Sequence, residues 1–210
     1  MARSREGLPK WRGRTPLGQA FPRLGLFGGT FDPPHIGHLV VAQDVVERLA
    51  LDRLLFIPAG SPPHKTGKVI SPAPLRVEMV RALTSGSEVF TVSEVEVSRE
   101  GPSYSVDTLR YFRDLHPDAE IFFILGADQA AAFDTWQSPE EVASLATLVV
   151  MAREGLEAPP GMFTSVPVTR VDISATDIRD RVREGRTIQY LVPDAVRQII
   201  ENNRLYRAVS

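Results

Sequence analysis

The feature that most constrains this chain is a recurrence of short apolar runs, at 24–28, 53–58, 120–126 and 146–152, separated by longer stretches with helical periodicity. Runs of this kind, apolar at successive positions, suit strands buried on both faces, as in parallel sheets. Helices are expected over 36–51, 74–85 and 103–115, with a short one over 139–144; they supply the crossovers that parallel strands require. Proline clusters between 58 and 74 mark a loop. Val89, Thr91/Val92, Val95 and Val97 alternate with polar residues, which predicts a kinked strand over 88–97. A last strand is expected over 166–171, and helices starting at Ser174 and near Pro193 close the chain. The pattern is that of an α/β domain with a mostly parallel sheet flanked by helices and a small C-terminal helical part.

Composition excludes several classes. With 210 residues and 43% hydrophobic content the chain can bury a full core. Its apolar runs are too short for a membrane span, and the absence of cysteine excludes disulfides, thiolate metal sites and a cysteine nucleophile. A cytoplasmic location is expected. The net charge of −2 conceals an asymmetry: six cations against Glu6 give residues 1–23 a net +5, leaving the rest at −7. An acidic body of this kind argues against nucleic acid as a partner. Residues 1–23, rich in proline and glycine and without periodicity, are expected to form a mobile, dispensable basic extension, with 24–206 as the single domain. The extension is similar in composition to a transit peptide but lacks an apolar core.

Residues 28–38, Gly-Gly-Thr-Phe-Asp-Pro-Pro-His-Ile-Gly-His, lie between the first strand and the first helix. Glycines allow close backbone approach, and the N–H groups and macrodipole of a helix start favour phosphate. The segment is neither a P-loop nor a Gly-x-Gly-x-x-Gly turn. One histidine at a helix start is usually structural, but His35 and His38, three positions apart, can face one phosphate together. The stretch resembles the nucleotidylyltransferase superfamily signature Gly-Gly-x-Phe-x-Pro-x-His-x-Gly-His, with every specified position filled. His35 to His38 also has the form of the class I aminoacyl-tRNA synthetase signature, from a related fold with the same ATP chemistry. The resemblance implies a Rossmann-like nucleotidylyltransferase fold and ATP contacts from Gly28, Gly29, Thr30, Phe31, His35 and His38. It assigns His38 to transition-state stabilisation and His35 to phosphate positioning, with Phe31 and Ile36 packing.

Near the other end, residues 173–179 read Ile-Ser-Ala-Thr-Asp-Ile-Arg. Ser174 and Asp177 alone make a capping box. The segment also resembles the superfamily's second signature, Ile-Ser-x-Thr-x-x-Arg, which implies that Ile173, Ser174, Thr176 and Arg179 belong to the ATP site. Ala175 stands where the nicotinate mononucleotide branch often has Ser or Thr. Arg183, on the same helical side, is expected to face solvent or a carboxylate. Gly126 and Asp128 end the third apolar run and match the superfamily's Gly-x-Asp, which contacts the nucleotide; a helix-capping Asp is the plainer alternative.

The middle of the chain should choose the acceptor. Residues 101–109, Gly-Pro-Ser-Tyr-Ser-Val-Asp-Thr-Leu, have the small polar residues of a helix start. They also resemble the Pro-Ser-Tyr-Thr-x-Asp-Thr segment of nicotinate mononucleotide adenylyltransferases, which implies acceptor contacts at Tyr104 and Ser105. Trp136 matches that family's ring-stacking aromatic, and Arg153, followed by Glu154 where the family has Pro, its Arg-Pro-Gly. Lys65, one of only three lysines, is a further candidate, ahead of His64. The resemblance implies transfer of adenylate from ATP to nicotinate mononucleotide, giving deamido-NAD and pyrophosphate. Mg²⁺ is expected with the triphosphate, since no carboxylate cluster stands out to hold a metal. Nicotinamide mononucleotide or phosphopantetheine as acceptor, cytidylyl transfer, and a non-catalytic nucleotide sensor are the alternatives. A homo-oligomer is compatible with the sequence.

Overall fold

The computed structural model describes residues 21–62, 70–152 and 161–207. Six strands form one parallel sheet: β1 (Arg23–Gly29), β2 (Arg53–Pro58), β3 (Phe90–Val92), β4 (Glu120–Leu125), β5 (Thr147–Ala152) and β6 (Phe163–Pro167). Their spatial order is β3-β2-β1-β4-β5-β6. The helices are α1 (Ile36–Leu49), α2 (Ala73–Thr84), α3 (Ser105–Leu115), α4 (Ala127–Ala131), α5 (Pro139–Leu145), α6 (Ala175–Arg183) and α7 (Asp194–Asn202). The expected α/β class is borne out.

The apolar runs work as expected for two-faced burial. Alternate residues of each strand enter different cores: Leu54 and Phe56 of β2, with Phe122 and Ile124 of β4, pack on one face beneath α1, α2, α6 and α7. Leu55, Ile57, Ile121 and Phe123 enter the other core with Val106, Leu109 and Phe112 of α3 and Val142 of α5. Gly25 is required by close packing, because a Cβ there would stand 2.6 Å from Leu51 Cδ1. The chain builds outward from β1 to β3, then returns to the other side of β1 to build β4 to β6. The strand order therefore reverses between β1 and β4, where open α/β sheets bind ligands.

Two predicted strands differ. The alternation over 88–97 yields only Phe90–Val92, because β3 is an edge strand paired to β2 alone. Its ladder ends at Ser93, whose N–H donates to Phe56 O, and the chain then turns, with Ser98 N–H donating to Glu94 O at 2.8 Å. Val95 is buried in the turn, so the alternation marked burial without marking strand. The last strand lies at Phe163–Pro167, earlier than 166–171. Only Val166 among its residues is deeply buried, so a weak apolar signal at an edge was outweighed by the valines that follow. The short helix α4 and the 3-10 turn at Phe133–Thr135 were not anticipated. Other boundaries agree within one or two residues; α1, for example, stops at Leu49 because Ala50 turns left-handed at φ 46°.

Leu26, fully buried in the central strand, tests the core directly. Leu26→Ala should lower the unfolding free energy by about 2–5 kcal/mol, measured by urea denaturation.

Candidate functional site

The loop after β1 is shaped by its own packing. Phe31 turns left-handed, at φ 50°, and its ring lies edge-on to Phe27 and His38, with centroids 5.7 and 5.1 Å apart. Gly29 permits this, since a Cβ there would meet the Phe31 ring at 2.8 Å. The Phe31 side chain is buried, so its contribution to a ligand site is limited to backbone. His35 is the N-cap of α1, extended at φ −145°, and its ring packs on His38 with centroids 3.8 Å apart. Gly37 makes room, because a Cβ at that position would stand 3.0 Å from His35 Nδ1.

His38 Nδ1 accepts the backbone N–H of His35 at 3.1 Å. With Nδ1 engaged as an acceptor, Nε2 is the ring atom left to donate outward. The N-cap geometry of α1 thus converts His38 into a directional hydrogen-bond donor at a helix N-terminus.

The second signature meets the first. Ser174 caps α6, accepting the Asp177 N–H at 3.0 Å and donating its hydroxyl proton to the Asp177 carboxylate at 2.8 Å. The serine N-cap is therefore present alongside the signature, but the reciprocal half of the expected capping box is not, because the Asp177 carboxylate takes the Ser174 hydroxyl rather than the Ser174 backbone N–H. From the first turn and a half of α6, Arg179 donates to Thr176 Oγ1 at 3.1 Å and to the backbone carbonyl of Asp32 at 2.7 Å. Val171, just before Ile173, lies beside Gly37. Residues 28–38 and 173–179 thus converge from positions far apart in sequence. Arg183 is exposed and paired with Asp180. Gly126 caps α4 at the carboxyl end of β4, beside β1, and Asp128 is exposed in the first turn of that helix.

Residues assigned to the acceptor fall elsewhere on this edge. Tyr104 caps α3 and Ser105 is its first residue, so the Ser105 N–H is one that a helix start leaves without an intrahelical acceptor. Ser103 Oγ accepts the N–H groups of Gly60 and Ser61 at 3.0 and 3.1 Å, which joins this helix start to the loop after β2. Trp136 is half-buried, tilted against Phe133 and edge-on to Phe123, so the packing role of a core tryptophan is part of what it does. Lys65, His64 and Arg153 lie outside the described residues.

Three functional-edge residues were missed by sequence reasoning. Arg76 is 1% exposed and spends its guanidinium on backbone carbonyls: Nε on Ser71 at 2.9 Å, Nη1 on Thr30 at 2.9 Å and Nη2 on Gly60 at 3.2 Å. Burial pulls its pKa below the ordinary arginine value, with Asp32 and then Tyr206 opposing. Asp32, at an unspecified position of the signature, is 6% exposed. Glu96 is 8% exposed, accepts the Thr108 hydroxyl at 2.8 Å, and has its pKa raised chiefly by burial, against hydrogen bonds from Thr108 and Ser103 and the charge of Arg99. For Arg76 and Glu96 the only available signal was a charged residue inside an amphipathic or alternating pattern; Asp32 offered none beyond its place in the loop.

A parallel α/β domain with two signature turns meeting at the reversal of strand order defines a nucleotide-binding protein of the nucleotidyltransferase class. The cytidylyltransferase-like family model matches residues 26–181. Proteins named "Probable nicotinate-nucleotide adenylyltransferase" are similar along nearly their whole length. That of Thermus thermophilus is 48% identical over 187 residues, covering 88% of this chain and 100% of the relative. That of Thermomicrobium roseum is 45% identical over 198 residues, covering 89% and 92%. The chain belongs to the nicotinate-nucleotide adenylyltransferase family. Among solved structures, Plasmodium falciparum nicotinic acid mononucleotide adenylyltransferase complexed with NaAD shares the fold. Its TM-score is 0.74 at 16% identity, covering 88% of this chain and 97% of that one. The same enzyme complexed with APC gives 0.73, with the same coverage.

Replacing Arg76 with Met would leave three loop carbonyls without their donor, and should cost at least ~2 kcal/mol in chemical denaturation. For Glu96, a raised carboxyl pKa means that the folded state holds the proton more tightly than the unfolded chain, so its contribution to stability falls as pH rises from 4.5 through the raised value. Glu96→Gln keeps an acceptor for Thr108 without the titration. The melting-temperature difference between variant and wild type should therefore shift in the variant's favour as pH rises above 4.5. A constant difference would contradict the assignment.

Proposed function

We propose that the protein transfers the adenylyl group of ATP to nicotinate mononucleotide, giving deamido-NAD and pyrophosphate. A phosphate oxygen of the mononucleotide attacks the α-phosphorus of ATP in line. The new P–O bond forms as the bond to the bridging oxygen of pyrophosphate breaks, and no covalent enzyme intermediate is needed. The observation that carries this reading is the contact of Arg179 with the Asp32 carbonyl, which brings both signatures onto one pocket edge.

Each group then has a role. His38 Nε2–H donates to an oxygen of the α-phosphoryl group as charge develops, where a preoriented donor gains most. His35, Thr30 and the N–H groups at the start of α1 position the phosphates, and Gly28 and Gly29 let the backbone approach them. Ser174, Thr176 and Arg179 hold the triphosphate from the other side, with Ile173 beside them. Gly126 and Asp128 contact the nucleoside. Tyr104 and the Ser105 N–H receive the pyridine carboxylate and Trp136 stacks on the ring; Lys65 and Arg153 join the acceptor set on sequence grounds.

Mg²⁺ is proposed to enter with ATP and to screen its phosphate charge. Among the described residues no group of three or more His, Cys, Asp or Glu gathers at one point, so the ion would take its ligands from phosphate oxygens and water. No helix among the described residues is long and apolar enough to cross a membrane. A cytoplasmic location, where ATP is at hand, is part of the same proposal.

The test is pyrophosphate release from ATP with nicotinate mononucleotide, nicotinamide mononucleotide and phosphopantetheine in parallel. A clear preference for the first is expected, and His38→Ala should lose about two to three orders of magnitude in turnover. Unchanged turnover in that variant would remove His38 from the mechanism; nicotinamide mononucleotide as the better acceptor would overturn the substrate assignment.

A further inference from the structure

Asp32 belongs to the first signature loop but is held from three distant parts of the chain. Its Oδ2 accepts the Ser71 backbone N–H at 3.2 Å, its carbonyl accepts Arg179, and its Oδ1 accepts the hydroxyl of Tyr206 at 2.6 Å. Tyr206 lies 174 positions away, in the turn that follows α7. A carboxylate buried to this degree needs its acceptor sites filled, because an unmatched buried charge is costly.

The turn that delivers Tyr206 is built against local preference. Arg204 and Tyr206 are both left-handed, at φ 50° and 62°, and neither is glycine. Such residues persist where the surroundings over-determine them, and they concentrate at functional positions. The Leu205 N–H donates to Ile200 O at 3.0 Å, which anchors the turn to α7 and aims the next side chain at Asp32. Burial, then the hydrogen bond to Asp32, raises the Tyr206 pKa, so the phenol stays a donor at any neutral pH. The same loop is tied to the C-terminal part a second time, by the Ile36 N–H donating to Leu191 O at 3.0 Å.

We propose that Tyr206 is a positioning residue for ATP. Its hydroxyl holds the Asp32 carboxylate, and Asp32 in turn fixes the carbonyl on which Arg179 rests and the entry of the chain into the His35–His38 turn. The C-terminal helical part thereby sets the distance between the two signatures without touching the nucleotide. The inference rests on the adenylyl-transfer reading, and it assigns Tyr206 to the ATP half of the site alone.

The experiment compares full-length wild type, Tyr206→Phe, Asp32→Ala and the double variant. It measures KM for ATP and for nicotinate mononucleotide, together with calorimetric binding of a non-hydrolysable ATP analogue. Tyr206→Phe should raise KM for ATP and Kd for the analogue by about tenfold, an effect comparable to losing one hydrogen bond to a charged group. KM for the mononucleotide should stay within about twofold, because the acceptor side has separate anchors. Asp32→Ala should show the same ATP-selective effect, and adding Tyr206→Phe to it should change nothing further. Unchanged ATP affinity in Tyr206→Phe, or equal losses for both substrates, would overturn the proposal. If Tyr206→Phe folds poorly, unchanged ATP affinity in Asp32→Ala does the same. A wild type that binds the analogue but releases no pyrophosphate would sink the adenylyl-transfer reading while the binding comparison still decides the role of Tyr206.

Discussion

A parallel sheet whose strand order reverses beside its first strand leaves the carboxyl ends of β1 and β4 with no connection passing over them. Every element of the site depends on that gap. The loop to α1 and the start of α4 open directly onto it, because their strands are neighbours. The second signature has to travel there. It follows β6, three strands from β1, a separation of about 14 Å at ordinary strand spacing. Residues 168–174 between β6 and α6 form no strand, and seven extended residues can reach about 23 Å. The strand expected over 166–171 is largely this traverse: Val168 packs against the core and Val171 lies beside Gly37, with Ile173 just beyond also against the core.

Within the gap, order is imposed by a buried cation. Arg76 directs three of its five N–H donors at the carbonyls of Thr30, Gly60 and Ser71. Those carbonyls belong to the loops after β1 and β2, so a single side chain on α2 fixes both against each other. The planar fork of a guanidinium suits this task, whereas an ammonium on a flexible stem would not reach all three. Gly60 is then fixed from a second side, because a Cβ there would collide with the Glu96 carbonyl at 2.3 Å. The loop after β2 is thus held at Gly60 by Arg76 from one side and by Ser103 from the other.

The parts readable from sequence were those carried by local rules. Two-faced apolar runs placed β1, β2, β4 and β5 because burial of a central strand leaves a continuous signal; β6, an edge with one deeply buried residue, leaves almost none. Glycines at 29 and 37, two histidines and a capping serine were recognisable as turns and helix starts because their work is done within a few residues of chain. Asp32, Arg76, Glu96 and Tyr206 escaped for the opposite reason. Each acts on a partner 12 to 174 positions away, and nothing near it in sequence distinguishes a buried polar group from a solvated one. Residues with a local signature were thus legible, and those that act across the chain were not.

The division of labour at the phosphates follows from one backbone hydrogen bond. Because the His35 N–H occupies Nδ1 of His38, the ring is left to donate from Nε2 in a fixed direction. On the adenylyl-transfer proposal, Arg179 would compensate the charge of the triphosphate, with the capped start of α6 contributing a second positive helix end. An arginine stays charged at any working pH, so electrostatic attraction and directional donation are carried by different residues. The geometry of such a site is set before the nucleotide arrives: by Gly37 for the two rings, and by Asp32 for the arginine.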